Sequence, residues 1–113
     1  MNIENCKCHN PPFLYSDYTK HYVGIDETNG RFGEVTFKTC KYCNSLWLHY
    51  YVTYEAFSQS GRWYRGLITQ SDAENITPEN SVNYLKSLKW YFYGGSYFNT
   101  SGKKGSGRVS VDL

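Results

Sequence analysis

The stretch Gly33-Glu34-Val35-Thr36-Phe37-Lys38-Thr39-Cys40-Lys41-Tyr42-Cys43 decides how the rest of the chain is read. Val35 and Phe37 point one way and Thr36 and Lys38 the other, the period-two alternation of a half-buried strand. That strand runs without a break into Cys40-x-x-Cys43, a spacing at which a short turn aims two thiolates at one ion. A sheet with a metal knuckle at the end of one strand is therefore the first expectation.

Working outward, Leu46 to Phe57 is the longest β-like run, rich in aromatic and β-branched residues. Its even face (Leu46, Leu48, Tyr50, Val52, Tyr54, Ala56) carries no charge and is the core candidate; its odd face carries His49 and Glu55. Ser58-Gln59-Ser60-Gly61 reads as a hairpin turn that returns through Arg62 to Ile68, with two- and four-residue loops both open. Phe13 to Gly33 is irregular and Tyr-rich, and the polar residues 69–77 read as a loop. Thr77-Pro78-Glu79 opens a helix, with Thr77 as N-cap and Pro78 at the first helical position. Val82, Leu85, Leu88 and Phe92 recur at helical spacing, and Gly94-Gly95 closes the element, so the helix is expected over about 78–93. Ser96–Thr100 and Arg108–Leu113 read as a last hairpin around a flexible loop, 101–107. The fold class expected is α+β: an antiparallel sheet, one main helix, and a four-cysteine zinc knuckle tying residues 1–12 to the sheet in a single domain, 1–113.

The second cysteine pair is Cys6-x-Cys8, separated from Cys40 by 31 residues. The gap exceeds common zinc-finger spacings, but loop-closure entropy grows only logarithmically with length. Cys6, Cys8, Cys40 and Cys43 are thus read as four thiolate ligands of a structural zinc, with neighbouring His9 as a substitute fourth ligand expected to stay outside the set. Four reduced thiols without metal, or a redox Cys40-x-x-Cys43, are the competing readings; no βαβ pattern supports the latter. The first residues show no basic n-region and no apolar h-region, so a reducing cytoplasmic setting is expected, where disulfides are rare. The two cysteine pairs, and they alone, resemble a treble- or ribbon-type zinc knuckle.

With 113 residues and 19% aromatics the chain is too aromatic for disorder, and no run approaches the roughly 20 apolar residues of a membrane helix. His9, His21 and His49 sit in no catalytic motif, and His49 and Glu55 lie six positions apart along one strand, too far to cooperate, so no enzyme is expected. Arg62-Trp63-Tyr64-Arg65 mixes cations and aromatics as single-strand nucleic-acid surfaces do, but its residues alternate between two faces. A net charge of +2 adds little to that reading, which stays as the alternative. Twelve tyrosines exceed what one modest core needs, so several are expected at the surface as part of a protein-binding face around residues 50–66. The nominated anchors are Arg62, Trp63, Tyr64, Arg65 and Tyr51. In size and general character the whole chain resembles the small bacterial immunity proteins; the resemblance implies a non-catalytic inhibitor that binds a toxin.

Overall fold

A computed structural model describes residues 6–54 and 56–111. Six strands form one antiparallel sheet in sequential order: β1 Tyr18–Asp26, β2 Gly33–Cys40, β3 Leu46–Val52, β4 Arg62–Ile68, β5 Tyr91–Gly95 and β6 Thr100–Gly105. The pairing of β2 with β3 sets Phe37 opposite Leu48 and Val35 opposite Tyr50, and β3 with β4 sets Tyr50 opposite Tyr64. Side chains alternate across a strand, so this register sorts the sheet into two faces of different make-up.

One face carries Val35, Leu48, Tyr50, Val52 and Tyr64, all buried under the helical layer and the C-terminal segment. Two short helices lie there, α1 Gln70–Asn75 and α2 Ser81–Ser87. Leu85 and Val82 of α2 are buried on the sheet, and Leu88 packs beside them. At Gly66 an added Cβ would meet the end of the Leu88 side chain, so a larger residue there would have to push Leu88 aside. Residues 108–111 complete this layer, held by tyrosine hydroxyls: Tyr54 donates to the Val111 carbonyl at 2.6 Å, Tyr91 donates to that of Arg108, and the Ser110 N–H donates to Tyr64 at 2.8 Å.

The opposite face presents Tyr18, Cys40, Trp47 and Phe92, buried together with Cys8 of the N-terminal segment. The odd face of β3 is therefore not a solvent face at Trp47, which is fully buried. The sheet is a middle layer, with helices on one side and the cysteine-bearing segment on the other.

Several expectations need correction. The helix expected over 78–93 is only Ser81–Ser87; Leu88 is already extended at φ −71°, ψ 149°. Tyr91 to Gly95 is strand because its aromatic residues pair with β4, Arg65 opposite Phe92 and Tyr64 opposite Tyr93. Phe92 consequently lies on the cysteine side of the sheet rather than in the helical stripe. Thr77 does not cap α2; its hydroxyl and N–H instead exchange hydrogen bonds with Asn80 at 3.3 and 2.7 Å. The polar stretch 69–77 contains α1, started by a capping box in which Thr69 and Asp72 satisfy each other's N–H groups, both at 3.0 Å. The stretch read as a loop, 101–107, mostly belongs to β6, which pairs with β5 in place of the expected partner 108–113. Residues 18–26, read as irregular, form the nine-residue edge strand β1, with a bulge between Tyr22 and Gly24.

Candidate metal centre

The four sulfurs of Cys6, Cys8, Cys40 and Cys43 lie within 4.8 Å of one another. Cys6 and Cys40 approach to 3.5 Å, as do Cys8 and Cys43, far beyond the roughly 2.05 Å of a disulfide. Two local structures aim them. Cys6 precedes a single 3-10 turn, Lys7–His9, closed by the His9 N–H on the Cys6 carbonyl at 3.0 Å. Cys40 ends β2, and the turn after it is closed by the Asn44 N–H on the Cys40 carbonyl at 2.9 Å, with Asn44 at φ +62°. This conformation suits asparagine among non-glycine residues.

Backbone geometry also sets the chemistry of the sulfurs. Burial raises the Cys40 thiol, while the N–H groups of Cys43 and Tyr42 oppose that by favouring its thiolate. Cys43 is brought down to about 7: burial acts upward, but the Ser45 hydroxyl, 3.0 Å away, and the Ser45 N–H prevail. Burial, with hydrogen bonds from Cys43 and Cys6, pushes the Cys8 thiol up, against the pull of Trp47. The buried Trp47 indole N–H acts on the Cys8 sulfur as a donor that favours the thiolate, which fits a deprotonated, metal-holding cluster. His9 is not part of the sulfur cluster; its ring packs against Trp47 and Trp90, with centroids 5.0 and 5.8 Å away.

The other nominated residues separate. Arg62, Tyr64 and Arg65 are 2%, 2% and 1% exposed, so as they stand they cannot anchor a partner, and that reading is corrected. Arg62 donates to the carbonyls of Ser60 and Ser110 and lies 3.6 Å from the Tyr97 ring. Tyr64 belongs to the helix-side core. The misreading arose because the C-terminal segment, which covers both, contributes carbonyls rather than recognisable side-chain partners. Tyr51 is exposed, and Trp63 is half-buried with His49 stacked on it at 6.1 Å. Glu55 lies outside the described residues. Of the twelve tyrosines, several of which are expected at the surface, Tyr15, Tyr22, Tyr42, Tyr51 and Tyr97 are exposed, while Tyr18, Tyr50, Tyr64 and Tyr91 are interior.

Beside the cysteine cluster a cleft of about 350 Å³ opens between the segment Pro12–Tyr15, the sheet and the β5–β6 turn. Arg65, Lys38, His49 and Trp63 line its sheet side. Burial and then the cations Lys38, Arg65 and Lys20 hold the His49 imidazole well below its ordinary range. No helix among the described residues is long and apolar enough to cross a membrane. No protein-family model, curated protein or solved structure matches the chain.

Proposed function

We propose that this chain is a non-catalytic, protein-binding module of the immunity type, working in the cytoplasm and held together by one structural zinc on Cys6, Cys8, Cys40 and Cys43. The observation that carries the zinc reading is the sulfur cluster, with all four atoms within 4.8 Å. A tetrahedral zinc with Zn–S near 2.3 Å needs sulfurs about 3.8 Å apart, so the cluster is close to ligating geometry before any ion enters. Four protein ligands leave no open position for a substrate or an activated water, which favours a structural over a catalytic role. In that role the ion ties the N-terminal segment to the end of β2, and its binding energy is folding energy.

For the partner, support comes from exposed aromatics rather than from the Arg62–Arg65 stretch. Phe32 is 73% exposed and Tyr51 41%, and both border one groove of about 580 Å³ with Ile25 and Tyr54. Aromatic side chains of this kind are typical anchors of protein interfaces. Single-stranded nucleic acid is the second reading, favoured by the cationic and aromatic lining of the cleft beside the cysteines.

One set of measurements tests this. Elemental analysis of the purified protein is expected to find one zinc per chain. Capture from host lysate is expected to retain a protein that the Phe32→Ser/Tyr51→Ser variant releases. Absence of stoichiometric metal refutes the zinc reading. Retention of nucleic acid alone, lost with rising salt, replaces the protein partner with the second reading.

A further inference from the structure

The cleft beside the cysteine cluster has a charge pattern that the protein itself leaves unbalanced. Lys20 and Lys38 stand directly opposite each other across β1 and β2, a cross-strand arrangement that repels. Arg65, 1% exposed, lies on the same face and lines the same cleft. Its guanidinium donates to the Tyr18 hydroxyl at 3.1 Å and is stacked by the Phe13 and Tyr18 rings at 4.2 and 4.4 Å. Its Nε is buried with no hydrogen-bond partner. None of the described residues lining the cleft is acidic.

Buried arginine is ordinarily paired with an anion, and a cleft of cations without one is a place where an anion is electrostatically preferred. Part of the compensation lies behind the cleft: against burial, the Tyr18 hydroxyl and then the sulfurs of Cys8 and Cys40 act to keep Arg65 charged. Lys38 remains, with Glu34 of the same strand acting on it from outside the cleft lining, and so does Lys20. Lys38 is half-buried at the cleft wall, and the Lys20 ammonium sits 4.5 Å over the ring of Tyr15, a residue of the opposite wall. The lining also carries the aromatic rings of Phe13, Tyr15 and Trp63, with His49 stacked on Trp63, and the hydroxyls of Thr100 and Ser101. The volume, about 350 Å³, falls within the range of small-molecule sites.

We infer that this cleft binds a small aromatic anion, a planar ring bearing a carboxylate or a phosphate, with the ring against Tyr15 and the packed Phe13–Trp63 pair and the charged group at Lys38. Arg65 supplies long-range positive potential from beneath, and the ring excludes water from the ion contact, which strengthens it. This site stands apart from the Phe32–Tyr51 groove and does not depend on the partner reading.

The test titrates the zinc-loaded protein with benzoate, phenyl phosphate, inorganic phosphate and the neutral benzyl alcohol, following backbone amide shifts and tryptophan fluorescence. At least one aromatic anion is expected to saturate, shifting the amides of Lys38, Thr100 and Ser101, while benzyl alcohol and inorganic phosphate bind at least tenfold more weakly. Comparing benzoate with phenyl phosphate identifies the preferred charged group. Lys38→Met is expected to weaken binding about tenfold, the loss of one charge-assisted contact, with zinc content unchanged. Tyr15→Ala, at a 72% exposed position, is expected to weaken it severalfold and leaves an independent check if Lys38→Met folds poorly. The inference is overturned if neither aromatic anion binds at concentrations up to about 10 mM, the weak limit for ligands this small. It is equally overturned if benzyl alcohol or inorganic phosphate binds as well as the aromatic anions, or if Lys38→Met and Tyr15→Ala both bind like the parent.

Discussion

At the scale of single residues, the sharpest statement concerns His49. Its imidazole is surrounded by burial and by three cations, so it stays neutral where an ordinary histidine would gain a proton. The sign follows from linkage. Below about pH 6.5 the unfolded chain takes up a proton at this position and the folded chain does not, so His49 costs stability as pH falls through that value. An NMR titration is expected to place the His49 midpoint well below that of an ordinary histidine. A midpoint near 6.5 would show that the cations of the cleft are screened. The cysteine pairs were legible at this scale because ligand spacing is local. The burial of Arg62, Tyr64 and Arg65 was not, because their neighbours come from residues 13, 18, 97 and 110, distant in sequence.

At the scale of elements, α2 and α1 carry separable predictions. Leu85 is fully buried between the helix and the sheet, so Leu85→Ala is expected to cost about 2–5 kcal/mol, measured by denaturant unfolding. Thr69→Ala removes one half of the α1 capping box and is expected to cost about 1 kcal/mol by the same measurement. A Leu85 variant as stable as its parent would place the core elsewhere. Strands β2 to β4 were legible from alternation, and Leu48, Tyr50 and Val52 are the buried set that alternation names. The helix was overextended for a physical reason. Steps of three and four also occur by chance in a run of aromatics, and pairing with β4 overrides helical spacing from Tyr91 onward. Strand β6, with its glycines and lysines, has almost no strand propensity and exists because β5 offers it an edge.

At the scale of the whole molecule, the two sheet faces are covered by different means. The helix side is a contiguous apolar core supplemented by tyrosine hydroxyls, whereas the opposite side is capped by a short segment whose attachment centres on the cysteines. Removing metal is therefore expected to release the second face while the first persists. A strong chelator should lower the melting temperature and raise Trp47 exposure, read by fluorescence quenching, while far-ultraviolet dichroism changes little. Loss of all structure on chelation would show instead that the two faces form one cooperative unit. Antiparallel architecture and a cysteine-tied terminus were visible from the chain because both rest on local patterns. The three-layer arrangement was not, since the sequence marks Trp47 only as an odd-face residue and does not announce the segment that covers it.

The strictly sequential strand order has a temporal consequence. Each strand pairs with the one synthesised just before it, so the sheet can be laid down in the direction of translation without waiting for a distant partner. The fourth sulfur arrives at Cys43, before the first residue of β3. A nascent chain thus has its whole cysteine set, and the β1–β2 hairpin that positions half of it, before strands β3 to β6 have been made. An ion bound by these four sulfurs would act as an early fastener, fixing one end of the growing sheet while the remaining four strands are added to the other.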